Sequence, residues 1–159
     1  MTKNSIPFES FLASVDEHQS FYMTMDDMLR ESGYTRKIEL KKSGYIVSYI
    51  ANSDKKTLVN YVKRKKGILI RIYGDHADEY PEVFDTLTTS MKKTISKSGD
   101  CKRLIDPEAC NSNCKMGVPI LMDGKIYSKC RFSALFFLVS EDNYEGIEAI
   151  VKKELKCRQ

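Results

Sequence analysis

Hydrophobic positions in the first 33 residues recur at the spacing of amphipathic helices. One group lies between Phe8 and Val15, and a second, which contains Phe21, Met25 and Leu29, precedes Gly33. Apolar residues three and four apart share one face of a helix, and glycine is common just beyond a helix end. The pattern therefore predicts two N-terminal helices.

From residue 36 to residue 73 the apolar positions alternate with polar ones instead. Turn-forming residues interrupt the alternation at Ser43-Gly44, at 52–54 and at 65–67. A period of two bounded by turn residues is typical of strands joined by hairpins. We therefore predict a meander of four antiparallel strands near 38–40, 45–50, 57–63 and 68–73.

The second half of the chain returns to helical spacing, with one irregular stretch inside it. Pro81 opens a predicted helix that Gly99 closes, and Asp123-Gly124 predicts a tight hairpin. Residues 132–139 read as a buried strand, and 144–155 as a final helix. The sequence therefore predicts a single α+β domain over 1–159, with a Cys-rich loop at 100–131 inside it.

Composition and charge limit the classes of protein to which the chain can belong. Hydrophobic residues make up 42% of the 159 residues and charged residues 30%, and the net charge is +4. These values suit a globular domain, and the charge permits an anionic partner without requiring one. Because the chain has no long apolar run and no signal-like N-terminus, we expect a cytoplasmic protein without a membrane partner.

One face of the predicted meander combines tyrosines with an arginine. Its polar and aromatic members are Tyr45, Tyr49, Tyr61, Arg71 and Tyr73. Phenols supply contact area with a polar tip, so this face is the predicted binding surface for a planar or anionic small molecule. The competing interpretation is that a terminal segment half covers the face and the hydroxyls point to water.

Four of the five cysteines fall in the irregular stretch, at Cys101, Cys110, Cys114 and Cys130. Only Cys110 and Cys114 are spaced like a zinc-ligand pair, so zinc would require the other two to be brought in separately. Reduced thiols in the fold explain the pattern equally well, and an iron–sulfur cluster or a redox pair at Cys110 and Cys114 stays open. Zinc is the predicted cofactor.

Two further groups of residues can be interpreted either as functional sites or as ordinary surface features. The hairpin tip Lys63, Arg64, Lys65 and Lys66 could contact nucleic acid, or it is a solvated turn. The loop that contains Asp75, His76, Asp78 and Glu79 has metal-ligand chemistry, but acidic residues are also expected where a helix begins. For both groups we favour the interpretation as ordinary surface features.

Two segments resemble a known group of proteins. They run from Lys42 to Gly74 and from Cys101, through Asp106-Pro107, Cys110 and Cys114, to Arg131. Both are similar to segments of small uncharacterised bacterial α+β proteins. The two segments make up 64 of the 159 residues, about two-fifths of the chain, and the resemblance implies an α+β domain, with no chemistry attached to it.

No catalytic motif is recognisable, since the chain has no Gly-rich phosphate loop, no G-x-S-x-G and no H-E-x-x-H. The function predicted from sequence is a non-catalytic ligand-binding or sensory module with a zinc-organised Cys loop. Nucleic-acid binding through residues 63–66 and thiol redox chemistry at Cys110 and Cys114 are the alternatives.

Overall fold

The computed structural model describes residues 6–15, 17–101, 108 and 117–159. Contacts divide the chain into two units. The first consists of Met1–Arg71 and Leu138–Tyr144, and the second of Ile72–Phe137 and Glu145–Gln159. Asp16, Cys110 and Cys114 lie outside the described residues, and so do residues 102–107 and 109–116 of the Cys-rich loop as a whole.

The elements confirm the α+β class. The helices are α1 (Phe8–Ser14), α2 (Gln19–Glu31), a 3-10 turn (Ala77–Glu79), α3 (Pro81–Asp85), α4 (Thr89–Lys97) and α5 (Glu141–Cys157). The strands are β1 (Tyr34–Lys41), β2 (Gly44–Ala51), β3 (Thr57–Arg64), β4 (Gly67–Ile72), β5 (Gly117–Met122), β6 (Lys125–Cys130) and β7 (Phe136–Leu138). An antiparallel sheet has the order β1-β2-β3-β4-β7, and β5 and β6 form a two-stranded sheet. None of the described helices is long and apolar enough to cross a membrane.

In the first unit, the tyrosine face of the sheet is packed under the N-terminal helices. Val47 lies opposite Tyr61 and Tyr49 opposite Val59 in the β2–β3 register, and these side chains are fully buried. The Phe11 ring stacks on Tyr61 at 5.9 Å, and the Tyr22 ring meets Tyr61 edge-on at 5.0 Å. Aromatic pairs at these separations stabilise beyond their buried area. The middle of this face is therefore hydrophobic core.

A buried carboxylate fixes α2 to the sheet. Asp26 is only 4% exposed, and it accepts hydrogen bonds from the Tyr49 hydroxyl at 2.8 Å and from Arg36 Nη1 at 2.6 Å. The Arg36 guanidinium also lies 4.4 Å from the centroid of the Phe8 ring. A buried charge is tolerated where such donors satisfy it, so these side chains fix how α2 lies on β1 and β2.

In the second unit, the helix predicted from Pro81 to Gly99 is two helices. The first ends at Asp85, and the second begins after Thr88, whose hydroxyl accepts the Met91 N–H at 3.1 Å. A threonine in this position satisfies a helix-start donor that an uninterrupted helix would bond internally. The prediction of one continuous helix was wrong because this cap begins a new one.

The hairpin predicted at Asp123-Gly124 is confirmed. Both residues have positive φ, 52° and 81°, as a type I′ turn requires. Behind the hairpin Lys129 is 2% exposed, and its Nζ donates to three oxygens: Ser96 O, Ser98 O and Asp100 Oδ1 at 3.0, 2.9 and 2.6 Å. Lys129 thereby satisfies carbonyls at the end of α4.

The strand predicted over 132–139 is shorter than expected. Only Phe136–Leu138 is extended and paired. The Val139 N–H donates to Ile68 O at 2.9 Å, and the Ile72 N–H donates to Leu135 O at 2.8 Å. These bonds place β7 beside β4 as a fifth strand.

Candidate functional site

A cavity of about 560 Å³ lies entirely within the first unit. It is bordered by the α1–α2 segment, by two turns of the sheet and by the chain that follows β7. The lining residues are Phe11, Ser14, Val15, Glu17, His18, Tyr22, Leu40, Gly44, Tyr45, Lys63, Lys66, Gly67, Ile68, Leu138, Val139 and Ser140. Its size is in the range of small-molecule sites in proteins.

The wall of the cavity is mostly apolar. Phe11, Tyr22 and Val139 are buried in it, whereas Leu40 and Leu138 are exposed at 62% and 37%. Exposed apolar side chains beside a cavity offer contact area to the apolar part of a ligand. The wall can therefore hold the hydrocarbon or ring part of a ligand.

The Tyr22 hydroxyl is a polar group within this wall. It is buried and has no hydrogen-bond partner among the described residues. Burial, followed by the nearby Tyr144 phenol, raises the pKa of Tyr22 far above its ordinary value, so the group stays protonated at physiological pH. A buried hydroxyl without a partner is uncommon and costs stability, and the hydroxyl of the core residue Tyr61 has the same feature.

The rim of the cavity is formed by two turns at the same end of the sheet. In an antiparallel meander the β1–β2 and β3–β4 turns emerge on the same side, and they supply Gly44 and Gly67 to the lining. The Lys63 side chain crosses Gly44, since a Cβ built there would lie 3.1 Å from Lys63 Cδ. The ends of β2 and β3 beside the two turns are thus in contact.

These turns concentrate positive charge. They contain Lys41, Lys42, Lys63, Arg64, Lys65 and Lys66, and all six side chains are exposed. Lys41 pairs with Glu39 at 3.2 Å, whereas none of the other five has a carboxylate of the described chain within 4 Å. A group of like charges beside a low-dielectric wall produces a positive potential that attracts anions.

A strained residue borders the cavity at the start of α2. His18 has a φ of 72°, in the left-handed region, and its Nδ1 is hydrogen-bonded to the Tyr144 hydroxyl. The Tyr144 ring stacks on Phe21 at 4.5 Å, and Glu17 lies 3.5 Å from His18 Nε2. Non-glycine residues in this conformation cost free energy and are enriched at functional sites. The imidazole is therefore a candidate polar contact for a ligand.

The structure distributes the sequence-predicted binding residues over different environments. Tyr45 lines the cavity, but Tyr49 and Tyr61 are fully buried under the helices. Arg71 is half-buried in the first unit, and Tyr73 belongs to the second unit, where its ring lies 6.2 Å from Phe132. Of the five, only Tyr45 is placed to contact a ligand in this cavity.

The basic hairpin tip contributes more residues to the cavity lining than the predicted tyrosine face does. Lys63 and Lys66 line the cavity, whereas Arg64 and Lys65 are exposed in the turn between them. Residues first considered for nucleic acid thus border the same cavity as Tyr45.

Two of the four predicted zinc ligands can be placed. The Cys101 N–H donates to Ser128 O at 2.8 Å, and Asp100 pairs with Lys129 across the same short ladder. Because side chains alternate between faces, Cys101 and Cys130 lie on the face opposite Lys129. Both are free thiols. Among the described residues no three His, Cys, Asp or Glu side chains are placed to hold a metal ion.

The second unit contains a hydrogen-bonded carboxylate that the sequence did not indicate. Glu154 on α5 is fully buried and accepts bonds from Tyr80 Oη at 2.7 Å, His76 Nδ1 at 2.7 Å, the His76 backbone N–H at 3.0 Å and Arg158 Nε at 2.8 Å. Arg158 also reaches Asp75 at 3.0 Å. Of the loop residues with metal-ligand chemistry, His76 therefore contacts α5, and Asp75 pairs with Arg158 just beyond the end of that helix.

This network controls the charge of Glu154. Burial acts to raise its pKa, but the bonds from Arg158, His76 and Tyr80 together outweigh it, so the pKa lies below the ordinary 4.5. A carboxylate with this many donors stays ionised and joins the loop to the C-terminal turn of α5. Its signal in the sequence, Glu154 four residues before Arg158, is one that many exposed helices share.

Comparisons of the chain with protein-family models, with curated proteins and with solved structures find no match. The resemblance to small bacterial α+β proteins therefore stays a prediction.

Proposed function

We propose that the chain is a non-catalytic binding module whose first unit takes up a small amphipathic anion in the cavity. The observation that carries the proposal is the combination of an apolar wall and a cationic rim around one cavity of ligand size. Lys63 and Lys66 would contact the anionic group. The accessible lining residues Leu40, Tyr45 and Leu138 would contact the apolar part. Such a division between apolar burial and a few placed charges is the usual design of small-molecule sites.

The rim lysines explain why an anion is favoured over a neutral ligand. Lysine ammonium groups on flexible stems can close on a charged group without a fixed geometry, and neither Lys63 nor Lys66 has a carboxylate of the described chain within 4 Å. Binding an anion there does not require an existing ion pair to be broken. The attraction between the lysines and the anion therefore contributes to the free energy of binding without that cost.

A fluorescence titration tests the proposal. Anilinonaphthalenesulfonate and phenylnaphthylamine have the same aromatic body, and only the first carries a negative charge. We expect the sulfonate to bind more tightly, and the double variant Lys63→Gln and Lys66→Gln to weaken it about tenfold while phenylnaphthylamine is unchanged.

Lys56→Gln is the matched control. Lys56 is equally exposed in the first unit but belongs to the turn at the other end of the sheet. Equal affinities for the two probes, or equal losses in the Lys56 and the double variant, would contradict the proposal.

A second candidate is a structural zinc site, since the ladder places Cys101 and Cys130 on one face of neighbouring strand segments. Cys110 and Cys114 would complete a four-thiolate set, which suits zinc. Elemental analysis of protein purified without chelator should then give about one zinc per chain, lost on Cys101→Ser but kept on Cys157→Ser. Metal-free protein with fast alkylation of Cys110 or Cys114 would favour the redox alternative instead.

Because this end of the sheet is basic, nucleic-acid binding is a further alternative function. Lys42 joins Lys63 to Lys66 there, which enlarges the patch that the sequence indicated. Binding to single-stranded RNA would weaken steeply with salt if these residues made phosphate contacts. Salt-insensitive or absent RNA binding would leave the small-molecule site as the function of this end.

A further inference from the structure

The charge around the cavity exceeds what a single carboxylate would use. Beyond Lys63 and Lys66, the same two turns carry Lys42, Arg64 and Lys65, none with a carboxylate of the described chain within ion-pair distance. Each additional negative charge on a ligand at this rim would gain attraction to several cations. The excess of positive charge therefore favours a ligand with more than one negative charge.

The carboxylates of Glu39 and Glu17 form no ion pair with Lys63 or Lys66. Glu39 is shared between Lys37 and Lys41, at 2.9 and 3.2 Å. Glu17, at the other border of the cavity, lies 3.5 Å from His18 Nε2. Glu39 therefore already pairs with two lysines, and Glu17 lies beside the His18 imidazole.

We propose that the ligand of the cavity is a phosphate monoester on an apolar chain or ring, with its dianionic phosphate between Lys63 and Lys66. The inference rests on the proposed function and names its ligand class. A phosphate monoester carries between about 1.5 and 2 negative charges near neutral pH and has three acceptor oxygens. Two ammonium groups with three donors each match those oxygens better than they match a single carboxylate.

The other border of the cavity can contact the ester or the chain beside it. The hydroxyls of Ser14 and Ser140 and the imidazole of His18 line the cavity. Hydroxyl and imidazole groups are hydrogen-bonding partners that suit ester or hydroxyl oxygens. The apolar wall at Leu40 and Leu138 would cover the hydrocarbon portion.

Calorimetric titration with decyl phosphate, decanoate and decanol tests the inference. The three probes share an apolar chain and differ in head-group charge. At low salt and about pH 7.5 we expect decyl phosphate to bind at least tenfold more tightly than decanoate. In the double variant Lys63→Gln and Lys66→Gln this difference should fall to about twofold, whereas Lys56→Gln should preserve it.

The outcomes separate this inference from the proposed function. Equal affinities for decyl phosphate and decanoate, both above decanol, would overturn the phosphate assignment and leave an anion site. Failure of both anions to bind would overturn the phosphate assignment and the proposed function together. Inorganic phosphate that binds as tightly as decyl phosphate would also overturn the inference, because the apolar chain would then contribute nothing.

Vesicles of phosphatidylcholine with and without phosphatidic acid identify the source of the phosphate. Binding that requires both phosphatidic acid and the two lysines supports a lipid ligand. Binding of decyl phosphate without vesicle binding supports a soluble phosphate ester. Vesicle binding that is unchanged in the double variant would contradict the assignment of Lys63 and Lys66.

Discussion

Single buried polar side chains decide how the helices are held in each unit. In the first unit this residue is Asp26, which joins α2 to the sheet through Tyr49 and Arg36. In the second unit it is Glu154, which joins α5 to the loop before α3. Each carboxylate accepts hydrogen bonds from another element, Asp26 from the sheet and Glu154 from the loop before α3, so each is stable only in the folded chain.

Replacing Asp26 by asparagine should destabilise the protein. The amide leaves Arg36, only 19% exposed at its side chain, without a charged partner, so we expect a loss of about 2–3 kcal/mol in the free energy of unfolding. Urea denaturation measures it. Asp27→Asn is the control, because the neighbouring Asp27 is exposed. Equal midpoints for the two variants would show that the Asp26 bonds contribute nothing net.

The Glu154 network predicts a pH dependence of stability. Its folded pKa lies below 4.5, so it contributes stability that is present above that value and lost as pH falls through the folded pKa. Glu154→Gln should cost about 2 kcal/mol near neutral pH, and the difference from wild type should close in acid. Thermal unfolding against pH checks this, with exposed Glu145→Gln as control. A difference independent of pH would exclude the carboxylate charge as its cause.

At the scale of elements, the sequence predicted those that local signals define. The four strands of the meander and the Asp123-Gly124 hairpin follow from period-two alternation and turn chemistry, and the structure confirms them. The break between α3 and α4 was missed, because apolar spacing continues across it and Thr88 is only one of many threonines and serines that could cap.

Gly124→Ala should weaken the hairpin. A side chain at a φ of 81° pays the left-handed penalty, about 1 kcal/mol, although nothing lies within 4 Å of the added Cβ. Denaturation would show this as a lower unfolding free energy. Gly99→Ala is the control, since Gly99 is exposed, its φ is not in the left-handed region and its nearest contact is 3.8 Å away. Equal stability of both variants would contradict the turn geometry.

At the scale of the whole molecule, the cavity could not have been derived from sequence. Its lining combines the α1–α2 segment, two sheet turns and residues 138–140, which are brought together only by tertiary folding. The sequence did identify Tyr45, Lys63 and Lys66, because tyrosines and clustered lysines stand out locally. It assigned them to separate functions, since nothing local shows that they border one cavity.

The buried tyrosines show the opposite limitation. Tyr49 and Tyr61 have the same residue type and face as Tyr45, yet α1 and α2 cover them and leave Tyr45 at the cavity. Which end of a sheet face a helix covers depends on helix length and on contacts such as Asp26 with Tyr49. Alternation along a strand carries no information about that.

The most direct test of the account is an amide chemical-shift map of the protein during titration with anilinonaphthalenesulfonate. The account predicts saturable shifts that begin at Gly44, Tyr45 and Gly67, which line the cavity. The exposed apolar pair Leu121 and Ile126 on the β5–β6 hairpin is the internal comparison, at 41% and 64% exposure. Shifts confined to that hairpin, with the cavity amides unchanged, would contradict the claim that the first unit contains the ligand site.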